Sequence, residues 1–362
     1  METIKEYIFK KLFFLKLLDV DKPGVIYSKT NHFYSNLRIN KRMVFCFEDF
    51  LSDLQKYTSS VIGMEKSSSL WYELGRDFGI KQINYAHIKN LDEKNKVEAV
   101  KYFFKIFNGS GATCLDRVKY LPYSKIFQTF GKSNIICRKS GDPSFFEGIT
   151  SGILSSIFGI EYETKYSCDL CSKKCSSISV PTENKFFSTV EPIILSRYKE
   201  FNYFQKIPNL KDFVKFKKIK VSSKGEWHFN KKRILPFPHY FFDLLFDHYA
   251  SNGLQDVLEA GLVKAAQDFL KQFKKSNSYL SFDLKFIENI LALFGWGVFT
   301  HKQNEEFITF DIFNPATNKD GIRFIIYLLK GYLNFISKGE YELTKIVDRK
   351  DLFRLVISFS KK

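Results

Sequence analysis

Tryptophan and methionine are scarce in this 362-residue chain, three of each, and cysteine stops at Cys175, so the second half has none. No apolar run reaches the roughly 18–20 residues that a membrane helix requires, which excludes a helical span by sequence. The N-terminus, Met1-Glu2-Thr3-Ile4-Lys5-Glu6, carries mixed charge. Lys10, Lys11 and Lys16 break the stretch that follows, and no small-residue cleavage site appears. No export signal is read there, and the expected location is cytoplasmic. Disulfides are therefore not expected among Cys46, Cys114, Cys137, Cys168, Cys171 and Cys175.

Signatures of catalysis are missing as well. Neither a Gly-x-Ser-x-Gly elbow nor a His-Glu-x-x-His helix occurs. Asn108-Gly109-Ser110-Gly111 lacks the Lys-Ser or Lys-Thr ending of a phosphate-binding loop and reads as a helix-terminating turn. His87, His228, His239 and His248 show no nucleophile or carboxylate partner by spacing. Each is read as a surface or satisfied core residue, and the enzyme reading falls behind a binding or sensing one.

Aromatic rings are abundant: 40 Phe and 19 Tyr, in a chain 44% hydrophobic and 26% charged. That balance is globular, and the length suits two domains of ordinary size. The formal charge of +17 is unevenly spread. Residues 1–190 hold 28 basic and 20 acidic side chains, residues 191–233 hold 12 and 4, and residues 236–362 hold 16 and 15. The connecting stretch is the most basic per residue.

Comparing the chain with itself exposes a repeat. Glu161-Tyr162-Glu163 recurs as Glu340-Tyr341-Glu342, 179 positions on, where Gly152 also meets Gly331 and Ile178-Ser179-Val180 meets Ile357-Ser358-Phe359. At an offset of 186, Asn108-Gly109-Ser110-Gly111 meets Phe294-Gly295-Trp296-Gly297, and Glu73-Leu74-Gly75 meets Glu259-Ala260-Gly261. Colinear matches at two offsets mark a duplication, with seven extra residues in the first copy between Gly111 and Gly152. Each copy shows one order. An extended stretch (24–40; 225–237) leads into helices (45–78; 239–273), then a helix (97–107; 284–294) that ends at Gly109 or Gly295. Alternating strands such as 307–313, a helix with small residues (145–158; 322–336) and two closing strands complete it. The fold class expected is α+β, two tandem copies of a helix-plus-antiparallel-sheet domain with the second diverged. The expected divisions are an N-terminal helix over 1–23, a first domain over 24–190, a basic linker over 191–224 and a second domain over 225–362.

Gly148 and Gly152 on one helix, Glu163 on the following strand, then Cys168, Cys175 and Ile178 carry a pattern that resembles the 4-vinyl reductase domain family. The resemblance covers about residues 24–181 and 225–359. It implies a small ligand-binding module, related in fold to transport-particle tethering subunits and to the sensor domains of regulators of aromatic degradation. The second copy has Val347, Lys350 and Arg354 in place of the cysteines, so a metal is expected in the first copy only.

Cys168-x2-Cys171-x3-Cys175 sets three thiols on one tight turn, and a Cys-x2-Cys knuckle lets two thiolates reach one tetrahedral ion. Zinc suits these soft ligands. The resemblance puts Cys137 first as the fourth ligand, since it precedes the glycine-rich helix, with Cys114, Glu163 and His87 behind it. A zinc closed by four protein ligands is structural. Among the rings of the first copy, Trp71, Tyr72, Phe103, Phe104, Phe107, Phe145 and Phe146 are expected to enclose a small hydrophobic molecule or simply to fill the core. Trp71, Phe103, Phe107 and Phe146 are the chosen ligand-binding set. The linker offers another site: Lys215, Lys217, Lys218 and Lys220 alternate with apolar residues, and Lys231, Lys232 and Arg233 follow. Basic residues interleaved with aromatics can hold a nucleic acid without sequence preference, or form one solvated face of a strand. The expected function is thus a ligand-binding or regulatory protein with a structural zinc, its repeats packed as a pseudo-dimer. A nucleic-acid-binding or scaffolding role through the linker is the alternative.

Overall fold

The computed structural model describes residues 18–19, 24–28, 41–86, 91–132, 134–169, 174–186, 219–221, 226–277, 281–317, 320–337, 339–349 and 354–361. Most of the N-terminal helix expected over 1–23 and most of the 191–224 linker lie outside them, and Leu18–Asp19, expected in that helix, are strand, paired with Tyr27 and Ser28.

The first copy runs β1 (Leu18–Asp19), β2 (Ile26–Ser28), β3 (Lys41–Phe47), α1 (Glu48–Ile62), α2 (Met64–Ala86), α3 (Glu93–Gly109), β4 (Cys114–Leu121), β5 (Ile126–Lys132), α4 (Cys137–Ser140), α5 (Ser144–Phe158), β6 (Ile160–Asp169) and β7 (Lys174–Lys185). The second runs β8 (Ile219–Val221), β9 (Trp227–Phe229), β10 (Lys232–Pro238), α6 (Tyr240–Ser251), α7 (Gln255–Ser276), α8 (Leu284–Leu293), β11 (Val298–Gln303), β12 (Phe307–Phe313), α9 (Ile322–Ser337), β13 (Tyr341–Arg349) and β14 (Arg354–Lys361). Two four-stranded antiparallel sheets share one strand order, β4-β5-β7-β6 in the first copy and β11-β12-β14-β13 in the second. The duplication read from the glycine turns is thus a duplication of topology. The extra residues of the first copy fall in its longer β4–β5 hairpin and in the turn that carries α4.

The two copies do not sit apart as beads. A third sheet of order β1-β2-β3-β10-β9-β8 takes three strands from each copy and joins them where β3 pairs antiparallel with β10. Lys41-Arg42 of β3 and Lys232-Arg233 of β10 begin strands of equal length, so the two are equivalent. Phe45 then pairs with its own equivalent, Pro236, which marks a local two-fold axis through the sheet. Pro236 and Pro238 lie in this central strand without costing it ladder bonds. The Phe45 amide points away from β10, donating to the Phe294 carbonyl at 2.8 Å, so the Phe45–Pro236 pair is a non-hydrogen-bonded one. A proline two residues further on falls in the same phase. Residues 45–47, expected in a helix, are strand instead, because β3 is apolar on both faces and covered on both. Phe45, Cys46 and Phe47 are all buried.

The helices cross-pack around this axis. Gly261 of α7 lies against Leu54 and Tyr57 of α1, and Phe78 of α2 meets Phe241 of α6 at 5.3 Å between ring centres. The Thr58 and Tyr249 hydroxyls bond at 2.6 Å, and His248 meets Asp77 at 3.0 Å. Within the first copy, α2 and α5 touch backbone to backbone. A Cβ on Gly148 would stand 2.0 Å from the Tyr72 carbonyl oxygen, and one on Gly75 would stand 2.1 Å from that of Phe145. The buried apolar residues of both copies form one continuous core.

Candidate ligand cavity

The cysteines gather at one end of the first copy's sheet. Cys168 on β6 is directly opposite Cys175 on β7, Cys175 is opposite Gly131 on β5, and Cys114 is opposite the neighbouring Lys132. Cys137 begins α4, the short turn that follows β5, and is buried. Cys171 and the Cys168 side chain lie outside the described residues, as does His87. Among the described residues, no three His, Cys, Asp or Glu side chains converge as a metal-binding group.

The basic candidates separate in the structure. Lys215, Lys217 and Lys218 lie outside the described residues. Lys220 on β8 and Lys231 in the β9–β10 turn are exposed. Lys232 and Arg233 are corrections to the phosphate-surface reading, because both turn inward to carboxylates of the other copy. Lys232 Nζ meets Asp49 Oδ2 at 2.8 Å, and Arg233, 2% exposed, reaches Glu48 Oε1 at 3.1 Å and the Gly111 carbonyl. Its equivalent, Arg42, donates to the carbonyls of Gly24, Gly295 and Asn314 at 2.9–3.0 Å. Each copy thus sends an arginine to the glycine turn of the other. Arg138 also binds Glu48, whose Oε1 takes the Ile136 amide at 3.1 Å. Burial alone would push the Glu48 carboxyl up, but Arg233 and Arg138 outweigh it and hold it below its ordinary value. Of the histidines read without a carboxylate partner, His248 meets Asp77 at 3.0 Å and His228 lies 3.9 Å from its near neighbour Glu226; His301, not singled out in the sequence, meets Glu288 at 2.8 Å.

The rings chosen in the first copy fill its core. Trp71 and Phe146 are fully buried, Trp71 edge-on to Phe145 at 5.7 Å, while Phe107 packs on Phe146 at 6.1 Å. Phe103 is buried with them. None of Trp71, Phe103, Phe107 and Phe146 lines the apolar cavity found in the second copy. That cavity, about 50 Å³, lies between β3 on one side and α7, α8 and α9 on the others. Phe45 and Phe47 come from the first copy, Phe269 and Phe273 from α7, Ile290 from α8 and Ile325 from α9. Tyr332 also lines the wall, and its hydroxyl donates to the Asp283 carbonyl at 2.7 Å.

The repeat explains why the void is in this copy. At the 179 offset Ile325 replaces Phe146 and Tyr327 replaces Gly148, and at the 186 offset Ala265 replaces Gly79. A ring is lost from the interior, and side chains replace two of the glycines of the first helix pair, while Gly331 still brings α9 against the Val263 carbonyl of α7. No polar partner compensates inside the void, so it favours apolar contents. The sequence signal that would have found it was the exchange of Phe146 for Ile325 together with the loss of Gly148 and Gly79 between aligned copies.

No protein-family model matches the chain, and no curated protein matches it. Among solved structures, the chain is similar to the phenol-responsive sensory domain of the transcription activator PoxR, solved with phenol. The TM-score is 0.35 at 14% identity, over 50% of this chain and 91% of that one. No helix among the described residues is long and apolar enough to cross a membrane.

Proposed function

We propose that the protein binds a small hydrophobic molecule in the second-copy cavity and acts as a ligand-binding or regulatory protein. The observation that carries this reading is an apolar void walled by both copies. Its volume is below the ~150 Å³ of an apolar cavity that takes up benzene, so a ring-sized ligand enters only as phenylalanines such as Phe269 and Phe286 shift. Such a ligand would touch β3 of one copy and α7–α9 of the other, and its arrival would bear on the β3–β10 junction. The first copy then has a supporting part. We propose a structural zinc there on Cys168, Cys171, Cys175 and Cys137, in keeping with the opposed register of Cys168 and Cys175 and the soft donor set.

Native mass spectrometry of protein purified without denaturant tests both. A bound apolar compound released by organic solvent, with one zinc per chain, is the expected result. Protein free of organic adduct that also fails to bind benzene and similar apolar probes would overturn the ligand reading, and metal-free protein that takes up no added zinc would overturn the zinc site.

A further inference from the structure

The two equivalent sheets differ on the faces turned away from the core. In the first copy Thr129 of β5 and Ser177 of β7 are buried, so Phe130 and Ile178 lie on the other face, where Ile178 is 51% exposed. The register sets three rows of side chains across that face. Lys119 of β4, Gln128, Ile178 and Lys165 of β6 form one, and Arg117, Phe130, Ser176 and Ser167 form the next. Lys132 and Lys174 meet in the third. Arg117, Lys119, Lys165 and Lys174 are exposed. The carboxylates nearest in register are Glu163, Asp116 in the β4 bulge and Asp169 opposite Lys174. Among the described residues Arg117, Lys119, Lys132 and Lys165 make no ion pair, whereas Lys139 and Lys232 are both held by Asp49.

The middle row carries a platform. Arg117 lies over the Phe130 ring, with its guanidinium carbon 4.5 Å from the ring centre. A guanidinium held flat against a ring keeps its charge and can stack a base on its other side. Lys119 and Lys165 flank this platform on the two edge strands, three spacings of ~4.8 Å apart. The second copy keeps the flanking lysines but not the platform. Lys302, Thr309, Ser358 and Lys345 form its equivalent row, while Thr300 and Asp311 stand where the first copy has Arg117 and Phe130.

We infer that the outer face of the first copy's sheet binds single-stranded nucleic acid without sequence preference, phosphates on Lys119, Lys132 and Lys165 and a base on Arg117. Cations drawn up around a stacking surface are what a phosphate chain with open bases requires. A duplex hides its base faces from such a platform, and an anionic membrane has none to offer. None of these residues lines the cavity, so the inference stands apart from the ligand reading.

The test is fluorescence anisotropy of a labelled twelve-nucleotide oligo(dT) with the full chain, at several salt concentrations. Log affinity should fall with log salt at a slope of about 0.7 per phosphate neutralised. The paired variant Lys119→Gln/Lys165→Gln should lower that slope by about 1.4 and cut affinity at least about tenfold at low salt. Lys302→Gln/Lys345→Gln removes the same charge from the equivalent row of the second copy and should bind as the unaltered protein does. Arg117→Lys keeps the charge but not the flat face, so it should weaken binding at least about fivefold with the salt slope unchanged. Thermal unfolding checks that each variant is folded. Equal losses in the two paired variants, the result of general charge attraction, would overturn the inference. So would an Arg117→Lys variant that binds like the unaltered protein, an unaltered protein that ignores the oligonucleotide, or tighter binding to duplex DNA or to phosphatidylserine vesicles.

Discussion

Glu48 holds the two copies together at the level of single atoms. Its carboxylate is fully buried and takes Arg233 from the second copy and Arg138 from the first. Removing one partner of a buried pair leaves the other charged and unmatched, a loss of about 3–5 kcal/mol. Glu48→Gln should therefore lower the urea midpoint strongly at neutral pH. The sign with pH follows from the carboxyl lying below its ordinary value of 4.5 when folded. Its contribution is present above that value and is lost as pH falls through the lower folded one. Unfolding free energies measured from pH 6 down to 3 should decline in the unaltered protein, with a shallower decline in Glu48→Gln. Equal slopes would contradict this assignment. At this scale the sequence was least legible. Arg233 follows Lys231 and Lys232 like any solvated basic run, and its partner lies 185 positions away.

Helices and hairpins were more readable, because periodicity and glycine are local signals. The run Phe307–Phe313 is strand β12, and the helices expected over 97–107, 145–158 and 322–336 are present within a residue or a few. Gly148 and Gly152 stood out in sequence, and their counterparts are Gly75 and Gly79 on α2. Gly148→Ala would drive a methyl into the Tyr72 carbonyl, and backbone cannot turn aside as a side chain can. The cost should exceed ~2 kcal/mol by thermal or chemical unfolding. Gly261→Ala meets the side chains of Leu54 and Tyr57 at 2.7–2.9 Å, which can rotate, so it should cost less. The reverse order would contradict the backbone contact described. For the β6–β7 hairpin, Cys171→Ser should lower bound zinc and destabilise the first copy. Metal content and melting that match the unaltered protein would remove Cys171 from the proposed ligand set.

At the scale of the whole chain, the repeat was legible but the way its halves join was not. Strand pairing between copies depends on edge groups that composition does not reveal, and β3 and β10 each leave an open edge if separated. The local axis through Phe45 and Pro236 implies how a lone half would respond. Residues 1–190 produced alone should pair β3 with β3 of a second molecule in the same antiparallel register, giving a dimer by light scattering. A stable monomer with buried Phe45 would contradict the shared sheet.

Ligand binding is proposed at the void in the second copy, where divergence has removed a ring. Ile325→Phe restores there the ring that Phe146 supplies in the first copy. The direct measurement is benzene-dependent thermal unfolding of the unaltered protein and this variant side by side. The unaltered protein should rise saturably in Tm with benzene. The variant should begin higher by ~0.5–2 kcal/mol of filled cavity and show no further rise. A variant stabilised by benzene as much as the unaltered protein, or an unaltered protein indifferent to it, would contradict binding at this void.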